Sequence, residues 1–248
     1  KWMSDFFDDS FLGFTSALDA DAEFIPLISA EEEENMNKQS YPDEVPILPL
    51  RNNVLFPGVV IPITVGRDKS IKLIKEAYKG NKIIGVVSQK DVSIEDPTFE
   101  QLNTVGTVAN IIKLLQMPDG NTTVIIQGKQ RFSLIEEVQN EPYIKAVVKK
   151  FEEQKHKADK EFKTLIASIR EMSAQIIQLS PNIPSEASIA LKNIESNSFL
   201  INFISSNMNA EMADKQKILE MDKLLERAQK VMELLMVELQ MLELRNQI

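Results

Sequence analysis

Glycine and proline are spread so unevenly along this chain that they constrain its fold class before any other feature. Seven of the eight glycines and seven of the eleven prolines fall between Val45 and Glu153, no glycine follows Gly128 and no proline follows Pro184. Turn formers separated by short β-branched runs are the punctuation of a sheet, whereas a long apolar-patterned stretch free of both residues has nothing to stop a helix. The chain therefore reads as α+β. Residues 45–153 are expected to form a β-rich unit, residues 154–248 an α-helical bundle, and residues 1–44 an acidic, largely non-globular extension.

Within the β-rich unit, strands are expected at Ile47 to Arg51, Val59 to Val65, Lys82 to Gln89 and Gly106 to Met117. Pro118-Asp-Gly-Asn121 then signals a turn, with proline presetting one φ and Gly120 accepting a positive one, so Thr122 to Gln127 folds back as a hairpin. Further strands are expected at Arg131 to Val138 and Tyr143 to Glu152. One helix is inserted, from Gly66 to Tyr78, with Asp68 suited to the N-cap and Ile71, Ile74 and Tyr78 on one face. About six short strands with tight turns must curl to protect their edges, which gives a pseudo-barrel. Pro57 and Pro62 lack amide donors and suit an edge, and Gly58 lets the backbone turn between them.

The last third is expected to be helical throughout. Lys155 to Leu179 carries Phe162, Leu165, Ile169, Met172, Ile176 and Leu179 at helical spacing. Ser180-Pro-Asn-Ile-Pro184 breaks it, and shorter helices follow near Glu186 to Ile194 and Ser198 to Met208. Ile218, Met221, Leu225, Ala228, Met232, Leu235, Leu239, Leu242 and Asn246 then alternate at spacings of three and four. This predicts an unbroken seam on a long C-terminal helix, with Met232, Leu235, Leu239, Leu242 and Asn246 as candidates for helical association and Asn246 suited to fixing register.

Composition narrows the chemistry. The formal net charge is −9, but residues 1–44 hold twelve carboxylates against Lys1 and Lys38, so acidity belongs to the extension and the rest of the chain is close to neutral. A body without a net positive field is poorly suited to nucleic acid. The phenylalanines of the extension, Phe6, Phe7, Phe11, Phe14 and Phe24, with Ile25, allow it a docking role beside that of a plain leader. With no cysteine there is no disulfide framework and no sulfur-ligated metal. No run approaches the roughly 18 apolar residues of a membrane span, and the first residues lack the basic flank of a signal peptide, so a cytoplasmic protein with no membrane partner is expected.

The Gly128-Lys129 pair is followed by Gln130 and has Thr123 where a phosphate-binding loop needs glycine. His156, the only histidine, stands between two lysines at a helix start, and no Gly-x-Ser-x-Gly elbow is present. Glu136-Glu137 and Glu152-Glu153 have the spacing of solvated faces. A Ser-Lys dyad could only be assembled by the fold, and no glycine-rich oxyanion loop accompanies one. The fragment is expected to be non-catalytic, with no catalytic, cofactor or metal residues.

Several motifs then occur in one order: Pro49-Leu-Arg51, Phe56-Pro-Gly58, Gly66-Arg-Asp-Lys-Ser70, Gly106-Thr-Val108, Gly128-Lys-Gln-Arg-Phe132, Asp214-Lys-Gln-Lys-Ile-Leu-Glu220 and Leu234-Leu-Met-Val-Glu-Leu-Gln240. Together they resemble the amino-terminal domain of the Lon family of ATP-dependent proteases, from about Val45 to Ile248. The resemblance implies a region that recognises unfolded, damaged or degron-bearing proteins and supports self-association in a hexamer. It further implies a parent serine endopeptidase with a Ser-Lys dyad and an AAA+ ATPase that uses ATP and Mg, with no cofactor in this fragment. Candidate contacts with substrate or partner are Phe56, Pro57, Arg67, Asp68, Lys69 and Lys72; Phe56 suits a core plug as well as a contact. Six of the ten methionines lie between Met208 and Met241, where flexible thioethers suit either bundle packing or varied apolar ligands. A free-standing adaptor or regulator of the same fold, and a small RNA-binding barrel, are the alternatives.

Overall fold

The computed structural model describes residues 27–154, 156–181, 183 and 186–248. Phe6, Phe7, Phe11, Phe14, Phe24 and Ile25 of the extension lie outside the described residues. The described chain divides into two compact units, Glu32–Glu152 and, as the second, Glu153–Ile248 with the residues before Glu32.

The first unit holds a short helix, α1 (Ala30–Lys38), whose last residues belong to it, and six strands: β1 (Glu44–Leu50), β2 (Val60–Val65), β3 (Ile83–Ser88), β4 (Val105–Gln116), β5 (Thr122–Gln139) and β6 (Lys145–Lys150). Helix α2 (Asp68–Lys79) lies between β2 and β3 in sequence. The sheet runs β2-β5-β4-β3-β1-β6, and β5 also pairs with β6, so five strands close into a barrel and β2 is appended to it. β1 and β3 are parallel, with Ile47 opposite Gly85. Parallel neighbours need a crossover, which the β2-α2 segment supplies.

Two separate strands were expected over residues 122–138, and the structure corrects this to a single strand of 18 residues. One edge of β5 pairs first with β2, Val65 to Val60 against Thr122 to Gln127, and then with β6, from Phe132 to Gln139. Gly128 sits at the changeover, where a Cβ would stand 2.4 Å from the Phe56 carbonyl oxygen. The glycine is required by that close approach and does not end the strand. Phe56-Pro-Gly58 makes the matching turn: Val59 N donates to Phe56 O at 3.2 Å, Gly58 has φ +82°, and Gly58 N donates to Gly128 O at 2.8 Å. Proline and then glycine at the two central positions is the chemistry of a type II turn.

One barrel core gathers Val45, Ile47, Val87, Leu102, Val108, Phe132, Ile144, Ala146 and Val148. Helix α2 buries Ser70, Leu73 and Ile74, so its inner face is turned from the Ile71, Ile74 and Tyr78 face expected. Its N-cap is Arg67 and not Asp68, and no side chain caps it. Part of the range read as a non-globular extension is also ordered: Met36 on α1 is buried, and Gln130 Nε2 donates to Met36 O and Gln39 O, both at 2.7 Å.

The second unit contains α3 (Lys160–Leu179), α4 (Glu186–Asn193), α5 (Asn197–Asn207), α6 (Met212–Glu220) and α7 (Leu224–Asn246). α3 starts later than the expected Lys155 because the Asp159 carboxylate accepts from Phe162 N at 2.8 Å and caps the first turn. Its buried face is Phe162, Ile166, Ile169, Ser173, Ile176 and Ile177, while Leu165, Met172 and Leu179 are half-buried at the flank. α3 and α7 pack together, and α5 is buried from Phe199 to Ser205.

The unbroken terminal seam is overturned. Met221, Asp222 and Lys223 leave the helical path between α6 and α7, with Met221 at φ −74°, ψ 127°. Gln154 holds them there: its N donates to Asp222 O at 2.8 Å, its Nε2 donates to Asp222 Oδ2 at 3.2 Å, and it bridges Lys223 in parallel. A distant strand-like contact thus outweighs local helical periodicity. Arg227, 1% exposed, closes the same corner by donating to Glu153 Oε1 at 3.1 Å and to Asn202 Oδ1. Burial pulls its guanidinium below the ordinary value, and Glu153 opposes that shift.

Candidate functional site

A cleft of about 550 Å³ opens on the barrel unit between the end of β1 and the β2-α2 connection. Leu48 to Asn53 form one wall, Pro62 to Arg67 the other, and Ser70 and Glu95 complete it. Among the described residues β2 pairs with β5 alone, so its other edge keeps backbone groups without a strand partner. Pro62 fits that edge, having no amide to offer.

Two guanidinium groups stand in the cleft, each held by a neutral acceptor. Arg51 Nε donates to Val92 O at 2.7 Å, and Arg67 Nη2 donates to Gln89 Oε1 at 3.0 Å. Gln89 is oriented in turn: buried at 2% exposure, it donates from Nε2 to Asp91 O at 2.7 Å and Ile94 O at 2.6 Å. The loop after β3 therefore aims Arg67 through one buried amide. Partial burial, and then the like charge of Arg51, pull the Arg67 guanidinium below its ordinary value, while Asp96 and Glu95 act in the opposite sense. Neither arginine forms an ion pair among the described residues. Ser70 is 8% exposed and lines the cleft.

The sequence candidates separate on this geometry. Phe56 is 0% exposed and is a core plug, which removes it as a contact. Pro57 is half-buried in the turn, and Asp68 and Lys72 are exposed on α2. Lys69 is engaged elsewhere, 2.9 Å from Glu141 Oε1 and 3.7 Å from Asp96 Oδ2, and its hydrogen bond to Glu141 is the main reason its pKa is raised. Arg67 alone of the six lines the cleft.

On α7, Leu235 is fully buried and serves its own unit; Met232, Leu239 and Leu242 are half-buried and Asn246 is exposed. The large apolar side chains left in solvent there are Met236, Val237, Met241 and Leu244, with Ile248 beyond the helix. Sequence reasoning missed Arg51, Ser70 and Gln89 as site residues. Arg51 was visible inside a motif, but nothing local marks a glutamine that acts by orienting a residue 22 positions away.

Comparison with known proteins accords with this architecture. Residues 44–237 match the family described as the ATP-dependent protease La (LON) substrate-binding domain. The Lon protease of Flavobacterium johnsoniae is 55% identical over 93% of this chain, and that of Cytophaga hutchinsonii is 50% identical over 91%. The chain spans 28% of the length of each. The N-terminal domain of Mycobacterium avium complex Lon protease has the same fold, with a TM-score of 0.62 at 20% identity, covering 77% of this chain and 97% of that one. A match of that extent, together with relatives at half identity over nearly the whole chain, makes this protein a member of the Lon substrate-binding domain family.

Proposed function

We propose that this chain is the non-catalytic recognition region of an ATP-dependent Lon-type protease, and that it captures unfolded or degron-bearing proteins and supports assembly of a hexamer. The observation that carries the reading is the cleft beside the unpaired edge of β2. An open strand edge offers backbone groups that only an extended chain can answer, because a folded protein has already paired its own. Selection for unfolded polypeptide follows from that without any sequence code. The apolar side chains exposed at the end of α7 support the association role, as scattered thioethers and aliphatics accept varied apolar partners.

In this reading, peptide hydrolysis, with its Ser-Lys dyad, and ATP and Mg binding belong to other modules of a parent protein, acting in the cytoplasm. No helix among the described residues is long and apolar enough to cross a membrane. The test is equilibrium binding of a fluorescent, permanently unfolded polypeptide to the 248-residue chain, beside the folded form of the same polypeptide. Saturable binding of the unfolded form alone is expected. Equal binding of both forms, or of neither, would remove the capture role and leave assembly.

A further inference from the structure

We infer that the cleft beside β2 is a carboxylate receptor, and that its ligand is an acidic side chain within an extended, apolar segment of a captured polypeptide. This rests on the reading of the chain as a receptor for unfolded protein and adds a chemical preference to it.

Two arginines converge on one spot. Arg51 and Arg67 each spend a donor on a neutral acceptor and form no ion pair among the described residues, so their remaining N–H groups are available to an anion. A guanidinium offers five donors in a fork suited to a carboxylate. The first turn of α2 reaches the cleft through Gly66, Arg67 and Ser70, and its N-cap has no side-chain acceptor. Asp68 stands in that first turn and answers part of the helix dipole, so the turn contributes amides and not the main charge of the spot. Ser70 adds a hydroxyl to the same wall.

The charge count selects among anions. Glu95 is the one carboxylate lining the cleft, and it stays outside ion-pair distance of both arginines. Two arginines against Glu95 in the lining, with Asp96 also acting on Arg67, leave too little positive charge for a phosphodiester chain and suit one carboxylate. Leu48, Pro49, Pro62 and Ile63 supply apolar walls on both sides of the charged spot. A bound segment would therefore be extended along β2 with its acidic residue at the arginines and its apolar neighbours against the walls.

The probes are two fluorescein-labelled decapeptides, amidated at the C-terminus and rich in leucine and valine, that differ only in a central Asp or Asn. Anisotropy titration of the 248-residue chain is expected to give about 10-fold tighter binding of the Asp peptide, the order of a charge-assisted bidentate contact. Arg67→Gln and Arg51→Gln should each bring the Asp peptide close to the affinity of the Asn peptide. Glu95→Gln should strengthen the Asp peptide by about 2-fold, as expected for removing one partly screened like charge, and a gain cannot arise from misfolding.

Equal affinity of the two peptides, or a preference that survives both arginine substitutions, would overturn the carboxylate site. If the unfolded polypeptide still bound, the capture reading would stand without it. Failure of unfolded polypeptide and peptides alike would remove both.

Discussion

In the helical unit an arginine points inward and meets a carboxylate; in the barrel unit two arginines line a cleft and meet none. Arg227 is enclosed by Glu153 and Asn202, whereas Arg51 and Arg67 are held by a backbone carbonyl and a glutamine. The buried polar groups differ in the same way. Gln89, Thr107 and Gln130 in the barrel use neutral amides and hydroxyls to pin loops to the sheet, with Thr107 Oγ1 donating to Leu55 O at 2.7 Å. Its one deeply buried cation, Arg131, lies 4.5 Å from the Phe151 ring centroid. The helical unit instead buries Glu238, whose carboxylate accepts from Asn209 N at 3.2 Å. An arginine given its own carboxylate is architecture. One that is oriented but left unneutralised is equipped to meet something else.

That contrast can be broken at several points. The largest effect is expected from Phe56→Ala, which empties the plug under the Phe-Pro-Gly turn and should cost about 4 kcal/mol. Hydrogen exchange should accelerate in β2, β4 and β5 while α3 and α7 keep their protection. Arg227→Leu should do the converse, costing about 3 kcal/mol as Asn202 and Glu153 lose their shared donor. Exchange would then rise in α5 and α7 with the barrel unaffected. If either substitution loosened both units equally, the division of labour drawn here would be wrong.

Glu238 sharpens the comparison through pH. Burial pushes its carboxyl up to about 8 from an ordinary 4.5, with the Asn209 amide and Lys215 pulling the other way. Because the folded state holds the proton more tightly than the unfolded one, this group favours folding most below pH 4.5. That contribution is lost as pH rises towards about 8. Glu238→Gln should therefore flatten the fall of melting temperature between those limits, and an unchanged slope would place the pH dependence elsewhere. A smaller effect is expected from Gln130→Ala. Losing its bonds to Met36 and Gln39 should cost about 1 kcal/mol and speed proteolysis near α1 without altering the strands.

What the sequence revealed follows the same boundary. Strand positions and the Phe56-Pro-Gly58 turn were legible because proline, glycine and β-branched residues act through their own φ and ψ. The Gly128 motif was recognised, but its reason was hidden, since only the fold brings the Phe56 carbonyl against it. The break at Met221 to Lys223 was illegible for a related cause: periodicity is local, and Gln154 lies 68 positions from Asp222. In the cleft, Arg67 could be singled out from its motif, yet its difference from Lys69 depends on Glu141 and Asp96, which no local pattern couples to α2. Ser70 could not be separated from other helix serines until its place in the cleft lining was known.

In the proposed reading the β2 edge and its cleft take up extended polypeptide. Hydrogen exchange of the 248-residue chain, with and without a permanently unfolded polypeptide, tests it most directly. Protection confined to residues 48–53 and 60–70 is the predicted result. Protection confined to the end of α7, or none at saturating polypeptide, would contradict it.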